Sequence, residues 1–169
     1  MPGTAIGLSL GNGYPGSYSR MPDDVVKPKP LSGDTPAVFG TAAILNDDDT
    51  YKAADATLTA QNFAGIFVRE VKQASDVFAS QGAYYKNDPA DVMLRGETVI
   101  KLARGTPKAG GTVYYRIAAN EDISGSAVGD FEATADGSNT VALPNVVFST
   151  GKVDGNNVVE IVIKTRNNN

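Results

Sequence analysis

The chain contains no cysteine and no histidine. Without cysteine it can form neither a disulfide nor a thiolate metal site, so its stability must come from packing or from association with other subunits. The absence of histidine removes Ser-His and Cys-His nucleophilic pairs, an imidazole base near neutral pH and nearly all zinc chemistry. Only carboxylates, Ser, Thr, Tyr and Lys remain for any reaction. Long apolar runs are missing too: the longest, such as VVEIVI at 158 to 163, fall far short of a bilayer span. The start, MPGTAIGLSLGNG, has no basic segment followed by an apolar core, which reads as no secretory signal and as synthesis in a cytoplasm. The net charge of -4 is mixed along the chain and forms no basic stripe, which argues against a nucleic-acid partner.

With 41% hydrophobic and 20% charged residues, the 169 residues fit one ordinary globular domain. Six of the nine prolines (Pro2, Pro15, Pro22, Pro28, Pro30, Pro36) lie in the first 36 residues, and KPKP at 27 to 30 favours extended backbone. Neither a helix nor a central strand fits there, so residues 1–36 read as an extended arm and 37–169 as a compact body. From Ala37 onward, short segments rich in Val, Ile, Phe and Tyr alternate with Gly, Asn and Asp clusters. Candidate strands are 37–45, 63–71, 91–102, 112–118, 128–134, 140–149 and 157–165. Turn chemistry separates them at LNDDDT (45–50), ADGSNT (135–140) and VDGNNV (153–158). The last strand alternates cleanly, with Val159, Ile161 and Ile163 facing one way. The expected class is all-β, a barrel or sandwich body with an N-terminal arm. Residues 70–85 are the only plausible helix, with an irregular loop as the alternative, and NNN at 167–169 is expected to fray.

Three constellations invite a chemical reading. Gly11 to Gly16, GNGYPG, satisfies the G-x-G-x-x-G pattern of a dinucleotide loop by letter. That loop must follow a buried strand and open a helix whose N-terminus meets the pyrophosphate, whereas here Pro15 interrupts the motif and SYSRMP follows. No cofactor is expected. Asp47, Asp48 and Asp49, or Asp154 with Asn156, suggest a cation site, but neither stretch has the glycine and terminal glutamate of a calcium loop; solvated hairpin tips are the preferred reading and no metal is expected. A carboxylate pair for glycoside hydrolysis could be drawn from Glu70, Asp91, Glu97, Glu132 and Glu160, yet no spacing selects two of them, and the chain is read as a non-enzyme.

Tyr14, Pro15, Gly16, Tyr18, Ser19 and Arg20 are the more informative group. Tyr and Arg offer large contact surfaces with a polar end, and an extended arm has backbone donors and acceptors to spend on another chain. These six residues are therefore read as a protein-interaction segment; the alternative is that they fold back on their own body.

In order along the chain, GYPGSYSR, PDDVV, FGTAAILN, FAGIFVREVKQ, GTPKAGGTVYYRIAAN and GDFEATADGSNTVALPNVVFSTGKVDGNNVVEIVIKTRN resemble the structural cement, or head decoration, proteins of tailed bacteriophages. The resemblance runs from about Gly13 to Asn167 and is weakest over 72–90. It implies a virion protein on the outer surface of the phage head, made in the bacterial cytoplasm, that binds the major capsid protein and bridges neighbouring subunits. It also implies self-association as a homodimer or homotrimer, with no nucleic-acid or membrane partner. A carbohydrate-binding β module on the virion or cell surface is the alternative, disfavoured by the absence of tryptophan and the 8% aromatic content.

Overall fold

The computed structural model describes residues 11–69 and 82–165, with the side chains of 20–22 outside that description. Among them eleven strands form: β1 (Tyr18–Pro30), β2 (Ala37–Val38), β3 (Ala42–Leu45), β4 (Tyr51–Ala53), β5 (Phe63–Phe67) and β6 (Ala83–Tyr84) in the first half. β7 (Pro89–Arg104), β8 (Thr112–Arg116), β9 (Phe131–Glu132), β10 (Thr140–Val153) and β11 (Val158–Ile163) complete the set.

The all-β expectation holds, and the choice between barrel and sandwich falls to the barrel. Pairing runs β7 to β11, β11 to β10, β10 to β8, β8 to β9 and β9 back to β7, so the ring closes and leaves no free edge within it. Within this ring the β7–β9 pairing is parallel and the other four are antiparallel. Ile100, Leu102, Val113, Tyr115, Phe131, Val146, Phe148, Val159, Ile161 and Ile163 fill the interior. The alternation read in the last strand is the observed one, with Val159, Ile161 and Ile163 fully buried.

β7 is long enough to serve two cores. Its first half pairs with β5, which pairs with β3, and these strands are buried on both faces. Met93 and Ile66 face the barrel core, while Val92, Leu94, Ala64 and Phe67 pack with Leu31, Tyr51 and Tyr84 in a second cluster. Before Gly96 the odd residue Met93 points into the barrel; after it the even residues Ile100 and Leu102 do. Gly96, at φ +131°, supplies this change of phase, because a one-residue irregularity exchanges the two faces of a strand.

The 1–36 stretch contributes β1 to the same sheet. β1 runs antiparallel to β7 from Pro30 opposite Pro89 to Tyr18 opposite Thr98, so along this length one of its backbone edges is spent within its own chain. Its prolines fit an edge strand, where a missing N–H can face outward. The 37–45 segment divides at Gly40 into β2 and β3, and 128–134 shortens to the two residues of β9. β4 and β6 were not expected. Of the proposed helix, residues 70–81 lie outside the described residues and 83–84 form β6, paired with β2. The 167–169 tail also lies outside them.

Candidate functional site

The GNGYPG stretch is a strap laid across the body. Asn12 anchors its start: the backbone N–H donates to Asp154 Oδ2 at 3.0 Å and Nδ2 donates to the Val158 carbonyl at 2.7 Å, both on the β10–β11 hairpin. Tyr14 to Ser17 then close a type II turn, with Ser17 N–H donating to the Tyr14 carbonyl at 3.0 Å, Pro15 at its second position and Gly16 at φ +80° at its third. Gly16 N–H donates to the Val99 carbonyl at 2.8 Å and its own carbonyl accepts from Arg69 N–H at 2.9 Å. Beneath the turn lies Gly40, at φ +81°. A Cβ on Gly40 would stand 2.5 Å from Pro15 Cβ, and one on Gly16 would stand 2.6 Å from Gly40 N. The segment continues into β1, so no helix N-terminus follows the glycines.

The six sequence-selected residues therefore do different things. Tyr14 projects outward, 76% exposed. Pro15 is half-buried against Gly40, and Gly16 is buried beneath the turn. Tyr18 is half-buried against the barrel core, and half-buried Ser19 donates to Glu160 Oε1. Arg20 stands opposite Glu97 in the β1–β7 ladder. Pro15, Gly16, Tyr18 and Ser19 thus lie against their own body, while Tyr14 is turned to solvent.

Two apolar side chains that the sequence reading missed join Tyr14 on neighbouring segments. Val38 is 51% exposed and Tyr85 49% exposed. Val38 adjoins Phe39, whose Cβ backs Gly16, and Tyr85 follows Tyr84, whose ring stands edge-on to Phe39 at 5.1 Å. Val38 sits in ordinary β-like sequence and Tyr85 at the end of the segment read as a helix or loop, so no local signal marks either as outward-facing.

Three of the carboxylates considered for catalysis, Glu132, Asp91 and Glu160, have structural partners. Glu132 takes a two-pronged contact from Arg116, with Nε to Oε1 at 2.6 Å and Nη2 to Oε2 at 3.0 Å, and both side chains are buried. Asp91 accepts from Tyr84 OH at 3.2 Å, and Glu160 from Ser19. Glu70 lies outside the described residues. Asp154 accepts backbone N–H groups of Val158, Asn156 and Asn12, and the Val158 N–H leads in holding its carboxyl below the ordinary range. At the β3–β4 hairpin, Asp48 closes an Asx turn onto Thr50 and Asp49 pairs with Lys29. Among the described residues no three acids converge as metal ligands.

One carboxylate is in poor surroundings. Asp24 lies over the Gly96 kink, where a Cβ on Gly96 would come within 2.2 Å of Asp24 Oδ1, and its buried Oδ2 has no hydrogen-bond partner. Burial raises its pKa, with neighbouring Asp23 adding to the rise and the Glu97 N–H opposing it. The folded state therefore holds this proton more tightly than the unfolded chain, so ionised Asp24 disfavours the fold above the carboxylate range. Asp24→Asn is expected to raise Tm at pH 7, with the gain shrinking as pH falls through that range and the wild-type carboxyl protonates. Thermal unfolding at several pH values reads this directly; a Tm difference independent of pH would contradict it.

A family model described as XM1 gp53 minor capsid protein matches residues 3–163 of the chain. Among solved structures, a chain of "The capsid of Myoviridae Phage XM1" superimposes with a TM-score of 0.69. It is 17% identical, and the alignment covers 97% of this chain and 98% of that one, so the likeness is one of fold. No curated protein matches.

Proposed function

Because this chain belongs to the XM1 gp53 minor capsid protein family, a family of phage capsid proteins, we propose that it acts as a head decoration or cement protein. In this reading it binds the outer surface of the icosahedral shell and bridges neighbouring major capsid protein subunits. The family match over residues 3–163 is the observation that carries it. The apolar group of Tyr14, Val38 and Tyr85, held up by the strap and the β2–β6 pair, is the proposed docking face. A turn fixed by Pro15 and by two glycines in contact presents Tyr14 with little conformational entropy left to lose on binding.

The mechanism is binding linkage and needs no reaction. A protein that binds the assembled shell and not its dissociated subunits stabilises the shell by mass action, and many equivalent copies multiply a modest free energy per contact.

The test is add-back to purified expanded heads lacking the protein, followed by cryo-EM. Density for this chain outside the shell between capsomers is expected; empty outer sites at saturating protein would overturn the proposal. Tyr14→Asp should lower occupancy about tenfold or more, as loss of a central aromatic anchor does, while Tm stays near wild type because the ring is exposed. Removing residues 1–30 is a poorer probe, since it also strips β7 of its β1 partner.

A further inference from the structure

The GNGYPG stretch holds a second chemical pattern. Among the chain's asparagines, Asn12 alone is followed by glycine. An asparagine closes a succinimide ring when the next backbone nitrogen attacks its carboxamide carbon, and a side chain on that next residue crowds the attack. Glycine has no side chain to do so. Asparagine is a thermolabile residue for this reason, and an asparagine before glycine is the most exposed to the reaction.

The strap leaves the attacking group room. Gly13 is exposed, at φ +97°, and a Cβ built on it would meet only Ser17 atoms, at 3.9 Å. Its N–H donates to no acceptor among the described residues. Asn12 itself is half-buried, and the same carboxamide that would react is the strap's anchor, with Nδ2 on the Val158 carbonyl at 2.7 Å. Its backbone N–H meets Asp154 Oδ2 at 3.0 Å. By contrast, Asn46, Asn62 and Asn120 also have their Nδ2 engaged, but Asp47, Phe63 and Glu121 follow them and crowd the approach.

We propose that Asn12 is a site of spontaneous deamidation and that its conversion unfastens the strap from the β10–β11 hairpin. Gly13 N bonds to Asn12 Cγ, the Cγ–Nδ2 bond breaks, and the amide nitrogen leaves as ammonia with the proton from Gly13 N. Water then opens the succinimide at one of its two carbonyls, giving aspartate or isoaspartate. One water is consumed, one ammonia is released and no electrons change hands. Either product lacks the Nδ2 donor. In aspartate a carboxylate oxygen faces the Val158 carbonyl, acceptor against acceptor, with the Asp154 carboxylate beside it as a second negative charge. In isoaspartate the main chain gains a methylene, which shifts the Asp154 contact against the turn. The far side of the turn keeps its hold through Gly16 on Val99 and the Gly16–Gly40 contact. Tyr14, between the two, loses its fixed presentation, and the departure of ammonia makes the change one-way. The inference concerns the chain by itself and does not rest on shell docking.

Peptide mapping of the folded full chain by mass spectrometry tests it, over several weeks at mildly alkaline pH in oxygen-labelled water. A solvent oxygen is expected to enter the Asn12 peptide, as aspartate and isoaspartate, at least about tenfold faster than at any other described asparagine. Asn12→Asp supplies one product in pure form, and hydrogen exchange reads the strap. The Ser17 N–H, which closes the turn onto the Tyr14 carbonyl, should exchange at least about tenfold faster than in wild type. The amides of Val159 and Ile161 should keep their protection, which shows the barrel intact. Aged wild-type protein, separated by its added negative charge, gives the same reading without a substitution. An Asn12 that reacts no faster than the other asparagines, or a Ser17 N–H that exchanges at the wild-type rate in the deamidated chain, would overturn the proposal whatever the result of shell add-back.

Discussion

Replacing Gly40 with alanine is expected to lower Tm by roughly 10 °C. Two costs add. At φ +81° a side chain sits in the left-handed region, which costs about 1–2 kcal/mol for a non-glycine residue. The new methyl also meets Pro15 Cβ at 2.5 Å and Gly16 N at 2.7 Å, and neither the ring nor the backbone is a flexible tip that can swing away. Such overpacking costs about 1–3 kcal/mol, and a total of about 3–4 kcal/mol at roughly 3 °C per kcal/mol gives the shift. Gly33 is the control: its φ is +83°, but a Cβ there meets nothing within 4 Å. Gly33→Ala should therefore show only the backbone part, about a third of the effect. Equal losses at the two positions, measured by thermal circular dichroism, would mean that the strap does not press on Gly40.

Arg116→Met is expected to cost about 4 kcal/mol, read as a lower urea midpoint at an unchanged m-value. Arg116 is fully buried, and its guanidinium serves Glu132, Asp136 and the Ala118 carbonyl. Its removal leaves Glu132 as a buried carboxylate with Arg104 Nε as the remaining cation at 3.5 Å. Pairing Arg116→Met with Glu132→Leu should return much of the loss, because apolar groups of similar volume tolerate a buried site better than half an ion pair does. The pH dependence follows from Asp136, whose pKa is lowered first by Asn120 and then by Arg116. A lowered carboxylate stabilises above its unfolded value and loses that contribution as pH falls through the folded one. The gap between wild type and Arg116→Met should therefore narrow below about pH 4.

The parts of the fold that the sequence revealed were those with a local cause. Val159, Ile161 and Ile163 announced β11 because one face of that strand is core. The Asn, Asp and Gly clusters announced the hairpin tips, where Asp49 and Asn157 do take positive φ. β1 was hidden because Pro22, Pro28 and Pro30 forbid a central strand and say nothing about an edge one. β7's double duty was hidden because its change of phase at Gly96 depends on what β1, β5 and β11 place beside it. The interaction segment was legible as unusual, but its division of labour was not. That Gly16 would be buried and Tyr14 exposed is decided by Gly40 and Phe39, more than twenty residues away along the chain. Glu132 was grouped with possible catalytic acids for the same reason, since its partner Arg116 lies on another strand and no spacing rule joins them.

β7 also fixes the order in which the molecule can be made. Thr98 pairs with Tyr18 on one side and with Ile161 on the other, near opposite ends of the chain. A nascent chain still attached at the ribosome holds β1 and the first half of β7, but the barrel stays open until Val158–Ile163 have emerged. Contacts this distant in sequence form slowly, so closure of the barrel waits on the arrival of β11. Any chain terminated before β11 carries an unclosed barrel with its apolar interior exposed.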